Sequence, residues 1–257
     1  MRAAALSSGS SGNCFYVEKD NSAILVDAGI SAKKINERLE ILKLNPEKIK
    51  ALFITHEHID HVRGADVFAR QLNIPIFATK GTIKNSFLCS NAKLINQIKK
   101  DEMIKISGLQ IESFSKSHSA SEPTSYSISD SNKTVSVITD LGYVCENVNN
   151  AISKSNFLFL ESNHDLEMLE KGPYPYFLKN WIKGNGGHLS NDQAALAVLE
   201  YANPRLKNVI LSHISKVNNA PKTALKTFNS LLKERKDFKA NVSASLDEFP
   251  TELLKVV

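Results

Sequence analysis

The sequence predicts a layered α/β protein, and three observations support this prediction. Short apolar or β-branched runs, typical of strands, occur along most of the chain. Segments with helical periodicity lie between several of these runs, an alternation that favours helices packed on sheets. Five of the apolar runs end in, or are directly followed by, an ionisable residue. Because ligands gather at strand ends in layered α/β folds, the same pattern predicts a site along one sheet edge.

The individual elements follow from the local pattern. The apolar runs predict strands over residues 14–18, 23–27, 51–55, 75–79, 103–107, 109–114, 124–129, 134–139, 157–161 and 208–212. Short polar turns join two pairs of these runs, which are expected to form antiparallel hairpins: 103–106 with 109–114, and 124–129 with 134–139. Helical periodicity predicts helices over 31–42, 62–72, 143–153, 190–202 and 221–234.

Composition limits the class of protein. The 257 residues suffice for one domain with a sizeable core. No apolar run approaches the roughly 18 residues that a membrane span needs. The first residues also lack the apolar core of a signal peptide, so we expect a cytoplasmic protein without a membrane partner. The net charge of +5 arises from scattered lysines and by itself does not identify a nucleic-acid-binding protein. The pattern leaves the oligomeric state open.

The segment THEHIDH, residues 55–61, is the strongest chemical signal in the chain. It places His56, His58, Asp60 and His61 directly after a predicted strand, where a loop can point them at one or two metal ions. Four ligands cannot complete two sites, so further ligands must come from elsewhere. The candidates lie in predicted turns next to strands: His118, Asp140 and His213. A carboxylate has two oxygens, which suits Asp140 to bridge two ions.

This constellation resembles the metallo-β-lactamase superfamily over the stretch from Asp27 to His213. The resemblance implies a four-layer αββα sandwich, of class α/β (α+β), with a two-metal site at one edge. It also implies that Asp27 orients the ligand loop without binding metal itself, a common arrangement around metal sites. Nitrogen-rich ligation suits Zn²⁺, and the added carboxylates also admit Mn²⁺ or Fe. Two such ions can share a bridging water whose pKa falls towards neutrality, so that hydroxide forms.

Further motifs distinguish among the branches of this superfamily. Asp140 separates the chain from true β-lactamases, which lack that carboxylate, and His58 stands where the flavin-linked di-iron oxidoreductases carry Glu. The metal motif alone does not exclude a glyoxalase II-type thioesterase. Five further segments together resemble the YycJ/WalJ/VicX branch of the superfamily: LSSGSSGNCFYVE, ESNHD, GPYPYFLKNWI, GGHLSN and LSHISKVNN. This branch is similar to tRNase Z and to the β-CASP nucleases around the metals.

That branch implies a metal-dependent phosphodiesterase with a nucleic-acid substrate. The expected activity is a 5′-to-3′ DNA exonuclease that uses the metal-bridging hydroxide. The segment between Asp140 and His213 is too short for a β-CASP insertion, so residues 1–257 are expected to form a single hydrolase domain. Three alternative functions remain: a small-molecule or cyclic phosphodiesterase, tRNase Z-like RNA processing, and a regulatory partner-binding protein.

Two histidines remain once the metal ligands are assigned, and both are candidates for contact with the substrate. His188, in the glycine-rich segment GNGGHLSN, precedes a capping box (SNDQ) with Ser190 as N-cap, and free N–H groups at a helix start favour phosphate. We expect His188 to hold the phosphate and to protonate the leaving oxygen. tRNase Z has a similar order of Glu and His, which implies that Glu161 orients His188. His164 is expected to contact the substrate or to cap a short helix.

Other expected contacts depend on weaker signals. The Ser/Gly loop at residues 7–13, with Ser10 and Asn13, could present N–H groups to a phosphate. Together with Ser190 and His164, these are the expected substrate-binding residues. Asp60 is expected to act in catalysis as well as in metal binding, alongside His188 and Glu161. Tyr174, Tyr176 and Trp181 either stack on bases or pack in a helix.

Overall fold

The computed structural model describes residues 1–257 and contains two seven-stranded sheets. The strands are β1 (Arg2–Ser7), β2 (Cys14–Lys19), β3 (Ser22–Val26), β4 (Ile49–Phe53), β5 (Ile76–Thr79), β6 (Ile95–Ile98), β7 (Met103–Ile106), β8 (Leu109–Ser115), β9 (Thr124–Ser129), β10 (Thr134–Ile138), β11 (Phe157–Glu161), β12 (Asn208–Ser212), β13 (Asn241–Ala244) and β14 (Leu254–Lys255). The first sheet has the order β14-β1-β2-β3-β4-β5-β6, and the second has the order β13-β12-β11-β10-β9-β8-β7.

Nine α-helices flank the sheets. They are α1 (Ala32–Ile41), α2 (Ile59–Val62), α3 (Ala65–Leu72), α4 (Lys80–Asn85), α5 (Glu146–Lys154), α6 (Leu166–Lys171), α7 (Tyr176–Lys183), α8 (Asn191–Tyr201) and α9 (Pro221–Leu232). Single 3-10 turns occur at Pro46–Lys48 and Ala92–Leu94. No helix has the length and apolar character needed to cross a membrane.

Three buried apolar clusters hold the layers together. One lies between α1, α3 and the first sheet, and includes Ile35 and Phe68. A second packs α5, α8 and α9 on the second sheet. The third joins the inner faces of the two sheets and contains Phe15, Phe53 and Phe159. The order of layers is therefore helix, sheet, sheet, helix, which confirms the predicted αββα sandwich.

Strand direction explains why one edge of the sandwich can hold a site. β3, β4, β5 and β6 run parallel to one another, and so do β10, β11, β12 and β13. The carboxyl ends of parallel strands meet at the same edge, so the residues that follow them come together. Between Asp140 and His213 the chain forms α5, β11, α6, α7, α8 and β12.

The ten predicted strands are all present, and the differences concern short or weakly patterned segments. β1 is rich in alanine, which has low strand propensity, and β6, β13 and β14 are at most four residues long. The helix predicted over 62–72 is divided into α2 and α3. The division lies at Gly64, where an added Cβ would lie 2.2 Å from the carbonyl oxygen of Ile30, so this close approach requires glycine.

Candidate metal centre and its flanking residues

The ends of five strands deliver ionisable side chains to one edge of the sandwich. Asp27 follows β3, His56 follows β4 by a short extension, Asp140 follows β10, Glu161 ends β11 and His213 follows β12. Three of these residues have positive φ, with values of 62° for Asp27, 57° for Asp140 and 53° for His213. Non-glycine residues adopt this conformation rarely, and it recurs at functional sites as well as in ordinary turns. The chain thus turns sharply after β3, β10 and β12, where these three residues lie.

Six of the seven predicted ligands form two groups of three. His56, His58 and His118 form the first group, with His56 Nε2 2.9 Å from His58 Nδ1 and His118 Nε2 3.4 Å from the same atom. The second group consists of Asp60, His61 and His213. In that group, Asp60 Oδ2 lies 3.4 Å from His61 Nε2 and 3.6 Å from His213 Nε2. Each group therefore presents three ligand atoms to one point.

Asp140, the seventh predicted ligand, lies between the two groups. Its Oδ2 is 3.3 Å from His61 Nε2, and its Oδ1 is 3.9 Å from His118 Nε2. Two buried atoms in this cluster have no hydrogen-bond partner, Asp140 Oδ2 and His213 Nε2. Buried polar atoms are almost always paired, so these orphans mark positions that a cation would satisfy. The donor set fits two divalent ions with Asp140 shared between them.

Burial also keeps part of the histidine cluster in the form that binds metal. Desolvation lowers the pKa of His56 well below its usual value, and lowers that of His118 to about 4. Neutral imidazole is the form that ligates a metal ion.

Asp27 lies behind the ligand loop. Its carboxylate accepts hydrogen bonds from the Thr55 N–H at 2.8 Å and from the Thr55 hydroxyl at 2.9 Å, and its Oδ2 is 2.8 Å from His61 Nδ1. The Thr55 Oγ1 is also 3.0 Å from His56 Nδ1. Asp27 and Thr55 thus orient the rings of two ligands through the nitrogens that do not face the metal position. Thr55 was not among the predicted site residues, although it opens the THEHIDH motif.

Glu161 links the metal ligands to His188. Its carboxylate accepts the N–H groups of Asp140, Leu141 and Leu189, at 3.1, 2.8 and 2.9 Å. Oε1 also lies 2.9 Å from His188 Nδ1 and 2.8 Å from His213 Nδ1. Burial alone would raise the pKa of Glu161. The two imidazoles outweigh burial and hold that pKa below its usual range. Glu161 is therefore a buried anion that orients both rings.

His188 lies at the rim of the ligand cluster. Its ring centre is 5.3 Å from that of His118 and 5.1 Å from that of His213, and 14% of its side chain is exposed. The glycine-rich segment before it is held firmly: the His188 N–H donates to the Ile182 carbonyl at 2.8 Å. An added Cβ on Gly187 would lie 2.2 Å from the same carbonyl oxygen. With Nδ1 directed at Glu161, Nε2 is the nitrogen left for another contact.

Several N–H groups around the start of α8, the predicted phosphate site, already have hydrogen-bond acceptors within the protein. The N–H groups of Leu189, Ser190 and Asn191 already donate, to Glu161, the Gln193 side chain and the His164 carbonyl respectively. The predicted capping box is present, and the Ser190 hydroxyl accepts from the Gln193 N–H at 3.2 Å. Ser190 is buried and is the helix cap, and its predicted contact with a substrate stays a prediction.

Asn13 and His164 also lie deeper than expected. Asn13 is fully buried, with its Nδ2 3.3 Å from His61 Nε2 and 3.5 Å from Asp60 Oδ2, so it contacts two predicted ligands, and its contact with a substrate stays a prediction. His164 is 1% exposed, and burial lowers its pKa to about 4. The cap of α6 is Asp165, so a capping role for His164 is wrong. Ser10 is exposed, and its predicted contact stays a prediction.

Lys116 is a buried cation that the sequence did not reveal. It is 7% exposed, its Nζ donates to the Thr139 carbonyl at 2.6 Å, and burial lowers its pKa. The charges that act on it include those of Asp140, Asp27 and Glu161. Lysines are usually exposed, so nothing in the local sequence indicates a buried one here.

Comparison with known proteins shows which proteins this chain resembles. Residues 22–214 match the model of the family described as β-lactamase superfamily domain. The chain is 35% identical over 238 residues to the exodeoxyribonuclease YycJ of Bacillus anthracis, covering 90% of this chain and 88% of the relative. It is 37% identical over 227 residues to the exodeoxyribonuclease WalJ of Streptococcus pneumoniae, covering 85% and 83%.

A solved structure supports the fold. The metallo-β-lactamase fold protein YhfI of Bacillus subtilis superposes with a TM-score of 0.72, at 16% identity, and covers 97% of this chain and 98% of that one. At this identity the likeness concerns the fold alone.

Proposed function

This chain belongs to the metallo-β-lactamase superfamily, and from that membership we propose that it is a metal-dependent exonuclease that hydrolyses phosphodiester bonds in DNA. The observation that carries the proposal is the similarity to two exodeoxyribonucleases over more than four fifths of each chain. The proposed polarity is 5′ to 3′. The whole chain, residues 1–257, is proposed to act as one hydrolase domain.

Seven side chains would hold the two metal ions. His56, His58 and His118 would hold one ion, and Asp60, His61 and His213 the other, with Asp140 shared. When bound, two divalent ions supply an activated water and neutralise charge on the attacked phosphate. We propose Zn²⁺ or Mn²⁺, since nitrogen-rich ligation suits zinc and the two carboxylates suit manganese; Fe fits the same mixed donor set.

The chain's own residues handle the leaving group. Glu161 fixes the His188 ring through Nδ1, at 2.9 Å, which leaves Nε2 at the rim of the cluster. There His188 donates a proton to the oxygen that departs from phosphorus, so that no free alkoxide has to form. General acid catalysis of this kind needs a group whose ordinary pKa lies near neutrality, as that of histidine does.

A basic cavity next to the centre fits the path of the nucleic-acid backbone. It has a volume of about 480 Å³, and its lining combines four cationic side chains (Lys34, Arg38, Arg63 and Lys216) with two carboxylates (Asp247 and Glu248). Lys216 pairs with both carboxylates and Arg38 is buried, which leaves Lys34 and Arg63 to meet phosphate. Arg63 follows the ligand His61 by two residues, and its Nη1 donates to the Ser11 carbonyl at 3.2 Å, which ties the cavity to the ligand loop. Backbone phosphates bind to clusters of Lys and Arg.

Lys34 provides a test of this path. Replacing Lys34 with alanine should weaken DNA binding and reduce the slope of log K against log salt by about one, as expected for the loss of one phosphate contact. The measurement is fluorescence anisotropy of a labelled oligonucleotide over a series of salt concentrations. Lys50→Ala is the matched control, because Lys50 lies near the amino end of β4, away from the ligand motif that follows its carboxyl end. An unchanged slope in Lys34→Ala would remove Lys34 from the path.

The proposed activity is tested with the purified protein and DNA labelled separately at the 5′ and 3′ ends, in single-stranded and duplex form, with Mn²⁺ or Zn²⁺ added. We expect mononucleotides to be released from the 5′ end, and no release after metal chelation. RNA ends, a cyclic nucleotide and a thioester are included as competing substrates. Failure to cleave DNA with either metal, together with turnover of one of those competitors, would refute the proposal.

A further inference from the structure

An exposed aromatic face lies beside the candidate metal centre. On α7, Phe177 is 73% exposed, Tyr176 75% and Trp181 43%. Phe177 and Trp181 are four residues apart, so they lie on the same side of the helix. Large aromatic side chains are usually buried, and a group of them on the surface marks a binding surface.

This face is tied directly to His188. The Trp181 and His188 rings meet edge to face, with centres 5.8 Å apart and an angle of 75° between the planes. The chain after α7 folds back on the helix end, where the Gly187 N–H donates to the Gly184 carbonyl at 2.9 Å. Trp181 and His188 therefore have a fixed relative position. A group placed on the exposed part of the indole lies next to the histidine that faces the ligand cluster.

A further apolar side chain is exposed at the centre itself. Ile59, between the ligands His58 and Asp60, is 62% exposed. Ile59 and the aromatic residues of α7 are thus exposed apolar side chains next to residues of the centre, Ile59 in sequence and Trp181 by its contact with His188. A permanent protein partner on this face would cover His188 and the ligands, so the occupant has to arrive and leave with the substrate.

We propose that Trp181, assisted by Phe177, stacks on an unpaired nucleobase adjacent to the phosphodiester bond that is cleaved. The proposal rests on the proposed function, since a nucleic-acid end brings a flat, uncharged base to the neighbourhood of its reacting phosphate. Aromatic side chains bind single strands by such stacking, with little preference among bases. Stacking would also hold the strand end in register with His188.

The chain has one tryptophan, so its fluorescence reports on this position alone. The experiment titrates the metal-loaded, full-length protein with a single-stranded oligonucleotide whose phosphorothioate linkages slow hydrolysis, while anisotropy measures binding. A second set of oligonucleotides carries one abasic residue, moved stepwise from the 5′ end. We expect the intact strand to quench the fluorescence, and one abasic position to restore most of it.

Variants separate stacking from packing. Trp181→Ala should weaken binding of the intact strand by about 5- to 150-fold, the range for loss of one base–aromatic stack. The same substitution should have little further effect on the strand with the critical abasic residue, and Trp181→Phe should retain most of the affinity. Phe87→Ala is the matched control, because Phe87 is 70% exposed and lies outside α7.

Several outcomes would overturn the proposal. These are an absence of binding, binding that leaves the fluorescence unchanged, and an equal loss of affinity for intact and abasic strands in Trp181→Ala. Self-association of the wild-type protein that depends on Trp181 would assign the face to a second copy of the chain. Base-dependent quenching without cleavage would support stacking and refute the nuclease activity. Cleavage that is unchanged by Trp181→Ala and by the abasic residue would support the nuclease activity and refute stacking.

Discussion

Replacing Asp140 with asparagine should abolish hydrolysis and reduce metal binding from two ions per chain to one at most. Asp140 is the side chain shared by the two ligand groups, with its oxygens 3.3 Å from His61 Nε2 and 3.9 Å from His118 Nε2. Asparagine removes the negative charge and one of the two ligand oxygens, while it tolerates the positive φ at this position. Loss of a hydrogen-bond partner behind a metal ligand costs about 10- to 100-fold in affinity, so the loss of a shared ligand should exceed that.

The measurement is metal content after equilibration with Zn²⁺ or Mn²⁺, together with DNA cleavage. Asp130→Asn is the control, because Asp130 lies in the β9–β10 turn, where it accepts the N–H groups of Asn132 and Lys133. That variant should keep two ions and full activity. An Asp140→Asn protein that still binds two ions and cleaves DNA would show that the two sites do not share this residue.

Replacing His188 with glutamine should leave both metal ions bound and lower kcat by about 10²- to 10⁴-fold, the range for loss of a general acid. His188 lies outside both ligand groups of three and forms a separate cluster of possible ligands with Asp140, Glu161 and His213, in which its Nδ1 bonds to Glu161. The variant therefore removes proton transfer and leaves the seven proposed ligands in place. Glutamine keeps a polar side chain of similar reach, which limits the disturbance of the packed loop around it.

The leaving group distinguishes proton transfer from a purely structural role. In the p-nitrophenyl ester of thymidine 5′-phosphate, the leaving group is p-nitrophenolate, which departs without protonation. His188→Gln should therefore slow hydrolysis of this ester far less than it slows DNA cleavage. Asp130→Asn again serves as the control, since Asp130 bonds within the β9–β10 turn. Equal losses on both substrates, or loss of bound metal, would assign His188 to the structure of the centre and not to proton transfer.

Local pattern predicted most of the fold. The ten runs of apolar and β-branched residues identified β2 to β5 and β7 to β12, and burial on both faces of the central strands explains the apolar composition of those strands. β6 and β13 lie at or near the sheet edges and are short, so their sequences carry little of that signal. α7 begins directly after Pro175 and is absent from the predicted helices. Tertiary packing decides whether such short segments become regular.

What the sequence determined by itself was the chemistry of the centre. THEHIDH crowds four ligands into one loop, and the strand ends that carry Asp27, Asp140, Glu161 and His213 could be recognised without coordinates. These features are local, since each depends on residue type and on its distance from the end of one strand.

Only the tertiary structure decided how these groups share their hydrogen bonds. It brings Glu161 to both His188 and His213, and it pairs the N–H groups of Leu189 and Ser190, just before α8, with the side chains of Glu161 and Gln193. It also turns Asn13 towards the ligands and leaves Trp181 exposed beside His188. A sequence names the donors and acceptors of each segment. Which of them pair is settled by competition among groups from distant strands, and that competition exists only once the two sheets have packed.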